Sequence, residues 1–157
     1  MDERDSAILR ELQLNARLTN RQLATRVGLA PSSCFARVRA LEASGVISGY
    51  HAQVDLERIG RGVEALIAFQ IRPLSRSVIQ AFKAFALDQP EVLDVYVVGG
   101  GDDFLVHVAV PTVAAMHALL MDRFSKRKEV IGFRTSILFE HTRRLATPPT
   151  GHGAERT

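Results

Sequence analysis

The chain has 157 residues, 46% hydrophobic and 24% charged, with one cysteine and a formal net charge of +3. That composition belongs to a globular protein of one or two domains, and a lone thiol excludes a scaffold held by intramolecular disulfides. No apolar run approaches the ~18 residues of a membrane span and no signal peptide opens the chain, so we expect a cytoplasmic, nucleoid-associated protein without membrane contact. Its positive balance rests on arginine, with Lys83, Lys126 and Lys128 the only lysines. Guanidinium forks suit phosphate and guanine better than point-like ammonium groups do.

From the N-terminus, Asp5 to Asn15 reads as a helix with Ile8, Leu9 and Leu12 on one side and the Asp5 charge favouring the helix start. Thr19 and Gln22 have the spacing of a capping box that opens a second helix, whose inner stripe is Leu23 and Val27. Gly28 can take the left-handed conformation that stops it, and Leu29 fills the angle to the next helix. That third helix begins near Pro31, where a missing N–H costs nothing. Cys34, Val38 and Leu41 recur at helical spacing and face inward, leaving Ser32, Ser33, Ala36, Arg37 and Arg39 towards solvent. Five arginines lie between Arg17 and Arg39, and no acid appears until Glu42. A helical hairpin stabilised by its own ion pairs would mix the signs, so this segment reads as a helix-turn-helix for a polyanion. The candidate DNA contacts are Thr19, Asn20, Arg21, Ser32, Ser33, Arg37 and Arg39, with Arg37 placed to read a base and Arg21 to hold a phosphate.

Residues 1 to 50 carry seven arginines against five acids, whereas the signs nearly cancel from Val63 to Arg144, which places a boundary between them. The expected layout is a DNA-binding domain over 1–50, a linker strand over 51–62, a second domain over 63–145 and a disordered tail over 146–157. Val46 to Asp55 alternates enough for a strand or small wing, and the connector to Gly62 is polar. Val63 to Ile71 alternates as a half-buried strand ended by Pro73. Ser77 and Gln80 form a second capping box ahead of a helix with Val78, Ile79, Phe82, Phe85 and Ala86 inward. Val92 to Val98 and Phe104 to Val110 are further strands. Pro111 and Thr112 open a helix carrying Met116, Leu119, Leu120 and Phe124, and a last strand carries Phe133, Thr135, Ile137 and Phe139 on one face. The order is βαββαβ, a ferredoxin-like α+β domain with both helices on one side of an antiparallel sheet. The opposite sheet face, with Leu66, Ala68, Leu105, Ala109 and Leu138, is too apolar for open water and calls for a second subunit.

A three-helix head, the run VGLAPSSCFARVRALEASGVISGY from Val27 to Tyr50 and the βαββαβ domain together resemble the Lrp/AsnC, or feast/famine, transcription regulators. The resemblance extends from about Asp5 to Arg144. It implies dimers formed through the sheet of the second domain (the RAM-type domain), octamers built from them, and an amino acid held between dimers that shifts assembly or DNA affinity. Ala30 departs from the pattern, because many relatives have there a serine that caps the recognition helix.

Small-molecule chemistry is expected in the loop after Val98. Gly99, Gly100 and Gly101 expose backbone N–H groups that can hold a carboxylate, and Asp102 or Asp103 can accept from an ammonium group, a pairing that suits an amino acid. A plain hairpin turn accounts for the same glycines. The family's usual turn is Gly-Asp-x-Asp; here Gly100 and Asp103 match its ends, while Gly101 replaces the first aspartate and Asp102 fills the variable place. Candidate effector contacts are therefore Gly100, Gly101, Asp102 and Asp103.

His51, His107, His117, His141 and His152 show no metal-ligand spacing, and no nucleophile sits in a recognisable motif. Asp103 and His107 lie four apart on a strand, ~13 Å, too far to act as a pair. No cofactor is expected. The sequence reads as a DNA-binding transcriptional regulator, a homodimer or larger, answering to an amino acid or related metabolite. The alternatives are an effector-independent architectural protein of the nucleoid type and, in another class, a small-molecule enzyme on a ferredoxin-like fold.

Overall fold

The computed structural model describes residues 1–149. They form two compact units, Met1–Gln53 together with the described residues from Thr142 onwards, and Val54–His141.

In the first unit α1 spans Glu3–Leu14 and starts two residues before the expected Asp5. Asp2 is its N-cap: the Asp2 carboxylate accepts from the Asp5 N–H at 2.8 Å, and the Asp5 carboxylate accepts from the Asp2 N–H at 3.1 Å. This is a capping box with aspartate at both ends, so Asp5 belongs to the cap and not to the first helical position. Helix α2, Asn20–Val27, has the expected Thr19–Gln22 box and ends at Gly28, whose φ of 65° is left-handed. Helix α3 spans Pro31–Ala43, and its N-cap Ala30 supplies no side-chain acceptor. Ile8, Leu23, Ala24, Val27, Cys34 and Leu41 form the buried core, with Leu9, Leu12, Leu29, Val38 and Ile47 packed around it. Burial of Cys34 pushes its thiol pKa up, as expected of a packing residue and not of a redox switch.

The expected strand or wing from Val46 to Asp55 does not form, and 51–62 contains no strand either. A strand needs a partner for its N–H and C=O groups. Here the Ile47 N–H is spent on the Leu41 carbonyl at 3.0 Å. Its side chain joins the helical core. At the other end of this unit the Thr147 N–H donates to Gln13 Oε1 at 2.7 Å, and Gln13 Nε2 donates to the Thr147 carbonyl at 3.2 Å. The residues to Pro149 thus carry an anchor that a disordered tail lacks; the rest of the tail, 150–157, lies outside the described residues.

The second unit runs β1 (Val63–Ile71), α4 (Arg76–Leu87), β2 (Val92–Val97), β3 (Phe104–Val110), α5 (Val113–Leu119), a π-helical turn (Leu120–Phe124) and β4 (Val130–Leu138). The sheet order is β2-β3-β1-β4, antiparallel throughout. Helix α4 starts earlier than the Ser77–Gln80 box predicts: Ser75 is the N-cap, its hydroxyl accepting from the Val78 N–H at 3.3 Å. Two serines two residues apart compete for the cap, and the one with extended backbone takes it. Ala65, Ile67, Phe69 and Ile71 on β1 meet Phe82, Met116, Leu119, Leu120 and Phe124 in one core. Phe69 is at its centre, with ring centroids 4.9 Å from Phe124 and 5.3 Å from Phe82. Phe139 falls beyond β4 and is 98% exposed, so it does not join Phe133 on the inner face.

The other face of the sheet is more polar than expected. Ala68 and Ala109 are buried and Leu66, Leu105 and Leu138 half-buried, but His107 lies among them with Nε2 3.0 Å from Glu64 and Nδ1 3.4 Å from Asp94. A buried imidazole flanked by two carboxylates is a satisfied polar group, and Asp103 is not one of its partners.

Candidate nucleic-acid interface and effector loop

The basic run from Arg17 to Arg39 is not uniformly available to a polyanion. Arg26 pairs with Glu11 at 2.9 Å, Arg39 stands 3.6 Å from Glu42, and one Arg37 nitrogen meets both Asp2 at 2.6 Å and Asp5 at 2.7 Å. Arg37 therefore does not face solvent as the helical spacing predicts; it is half-buried and ties α3 to the cap of α1. The Asp5 N–H, then the Arg37 guanidinium, hold the Asp2 carboxyl below its usual range, and Asp5 and Asp2 raise the Arg37 pKa in turn. Arg17 and Arg21 are exposed, and their guanidinium groups make no ion pair or hydrogen bond among the described residues.

Thr19 and Asn20 serve first as frame. Thr19 is engaged with Gln22, and Asn20 Nδ2 donates to the Pro31 carbonyl at 2.8 Å, which locks the start of α2 against the first turn of α3. Arg4 donates to the Val27 carbonyl at 2.7 Å, satisfying an orphan acceptor where α2 ends. Ser32 and Ser33 are exposed on the first turn of α3. The sequence reasoning passed over Phe35, a 53% exposed aromatic on the same helix, with the Arg39 guanidinium 5.4 Å from its ring centroid. Its signal was present: Ser32, Phe35, Ala36 and Arg39 stand at i, i+3, i+4 and i+7, one continuous outward face opposite Cys34, Val38 and Leu41.

In the second unit the loop between β2 and β3 is closed by the Val98 N–H donating to the Asp103 carbonyl at 3.0 Å. Gly100 has φ 136°, a conformation for which glycine is favoured, and a Cβ at Gly99, Gly100 or Gly101 would meet nothing within 4 Å. The N–H groups of Gly99, Gly100 and Gly101 donate to no acceptor among the described residues. Both aspartates are already engaged: Asp103 accepts from the Ile71 N–H at 2.8 Å and from Arg72 at 3.0 Å, and Asp102 accepts from Arg134 at 2.7 Å. Gln70 donates to the Gly101 carbonyl at 3.0 Å. The loop is thus bound to β1 and β4 through charged side chains that sequence reading left unassigned. Among the described residues no three His, Cys, Asp or Glu side chains are arranged to hold a metal ion, and no helix is long and apolar enough to cross a membrane.

A helix-turn-helix head joined to a βαββαβ domain defines a DNA-binding regulator, and comparison with known proteins sharpens that class. A family described as winged helix-turn-helix DNA-binding matches residues 1–48, and the Lrp/AsnC ligand binding domain matches residues 64–146. The HTH-type transcriptional regulator AldR of Mycolicibacterium smegmatis is 38% identical over 143 residues, 91% of this chain and 84% of that one. The leucine-responsive regulatory protein of Rhizobium meliloti is 33% identical, covering 87% of this chain and 88% of its own length. Among solved structures, a transcriptional regulator of Neisseria meningitidis in complex with L-Met superposes with a TM-score of 0.88 at 30% identity, over 97% of this chain and 98% of that one. The chain belongs to the Lrp/AsnC family of transcriptional regulators. It is a DNA-binding regulator with a ligand-binding domain, not an enzyme.

Proposed function

We propose that this regulator acts on the nucleoid as a homodimer, or as an octamer built from dimers, whose DNA affinity or assembly is set by an amino acid bound at the glycine loop, at an interface between subunits. The observation that carries the reading is the loop itself. Three adjacent glycines leave their N–H groups unspent, and the aspartates and arginines around them supply both signs of charge. A zwitterion presents the complementary pair, with its carboxylate on the glycine donors or Arg134 and its ammonium group on the carboxylate of Asp102 or Asp103. A similar regulator has been solved with L-Met, which makes methionine the first ligand to try. The half-apolar outer face of the sheet supports a second subunit.

At the DNA, Arg21 and Arg17 are the phosphate contacts and Ser32 and Ser33 face the groove from the start of α3. Thr19 and Asn20 hold the two helices in register. Arg37 acts through its ion pairs as a positioning residue, and Arg39 borders the groove-facing surface.

Calorimetry of the full chain with L-methionine, then with each other common amino acid, tests the effector site, read together with oligomer size and DNA affinity. A ligand that binds wild type and fails with Gly101→Val and Asp102→Ala, both of which keep ligand-free DNA binding, is the expected result. No heat with any amino acid and an oligomer that never changes would leave a plain hairpin, and weak sequence preference besides would favour an architectural role.

A further inference from the structure

Phe35 is a large apolar side chain where an exposed helix face has least reason to hold one. It does not reach the core of its own unit, which Cys34, Leu41 and Val38 already fill from the opposite side of α3. More than half of it is open to solvent, and the Arg39 guanidinium lies against its ring at 5.4 Å. That contact stabilises the ring's position and leaves its other face and edge free. Around it stand Ser32, Ser33 and Ala36, all small and exposed, so nothing bulkier projects from the first two turns of α3.

The arginine that spacing alone would make the base reader, Arg37, is bound to Asp2 and Asp5 and withdrawn from this face. A helix that enters the major groove with this surface meets base edges with two hydroxyls, an Ala methyl and one aromatic ring. The only apolar group a major groove offers is the C5-methyl of thymine, and phenylalanine is among the side chains that contact it. We infer that Phe35 is a specificity-determining residue that reads the 5-methyl group of a thymine in the operator, with Arg39 as the positioning residue that braces its ring. This rests on the DNA-binding reading of the head and adds to it the chemistry of one recognised base.

Full-length wild type, Phe35→Ala and Phe35→Leu would each be used to select duplexes from a randomised pool. The thymines of the wild-type motif would then be replaced one at a time by uracil, which removes the methyl group and nothing else. Wild type should lose about fourfold in affinity at one thymine per half-site, the worth of one buried methyl group. Phe35→Ala should bind the thymine and uracil duplexes equally and select that position less strictly, while Phe35→Leu should keep part of the preference. Because the side chain is exposed, helix content and oligomer size should match wild type in both variants. If every uracil duplex binds wild type as well as its parent, or if Phe35→Ala keeps the same methyl sensitivity, the assignment is overturned while specific binding stands. A wild type that enriches no motif overturns sequence-specific binding and the Phe35 assignment together.

Discussion

At the scale of single residues, the head shows that a formal charge count and an available charge are different quantities. Arg37 and Arg21 look alike in the sequence, yet one is neutralised by two aspartates and the guanidinium of the other has no partner among the described residues. Arg21→Ala should weaken binding by a similar factor on every duplex and lower the slope of log affinity against log salt by about 1, as loss of one phosphate contact does; a change confined to one sequence would instead make Arg21 a base reader. Arg37 predicts a pH effect. The Asp2 carboxyl has a lower pKa folded than unfolded, so its contribution to stability is complete above the ordinary aspartate range and is lost as pH falls through the lowered value. Wild type should therefore lose stability below about pH 4, and Arg37→Ala should be less stable at neutral pH with a shallower acid decline. Circular dichroism melts between pH 7 and pH 2.5 would show it, and parallel curves for the two proteins would refute it.

At the scale of elements, legibility tracked the range of the interaction. The Thr19–Gln22 box and the Gly28 stop were visible because each involves groups within four residues, whereas Ala30 was visible as a cap without an acceptor through the family resemblance, which places a serine there. Ala30→Ser should supply the missing acceptor at a position that already has extended backbone, raising stability by about 0.5–2 kcal/mol. Urea unfolding of the two proteins measures the difference, and an unchanged midpoint would mean that the first turn of α3 is satisfied otherwise. The misreadings are as instructive. Ser77 with Gln80 has the spacing of a capping box, but Ser75 has the extended backbone of an N-cap and its hydroxyl takes the Val78 N–H. The stretch from Val46 to Asp55 alternates like a strand and joins no sheet among the described residues, and alternation is only a licence to pair.

At the scale of the whole molecule, three short helices contact few base pairs, and useful specificity needs two heads on half-sites about 34 Å or a multiple apart. The outer sheet face offers the means of pairing, with Leu66, Leu105 and Leu138 half-buried around the His107 cluster. Light scattering at micromolar concentration should give an even multiple of the 17.3 kDa chain mass. A monomer at that concentration would exclude the dimer and leave the sheet face to some other cover.

What the sequence by itself determined was the order and kind of the helices and of the four sheet strands, the caps of α2, the inner stripes of every helix and the family. All of these are written in spacings of two to four residues or in matching runs of sequence, and local periodicity survives without knowledge of the fold. The tertiary structure decided which charges are spent. Asp2 and Asp5 reach Arg37 across 35 and 32 residues, Glu64 reaches His107 across 43, and Arg134 reaches Asp102 across 32. A charge becomes available or neutral according to what lies within a few ångströms of it. That distance is set by how helices and strands pack, so Arg21, unpaired among the described residues, the engaged Arg37 and the exposed Phe35 became distinguishable only once the chain was folded.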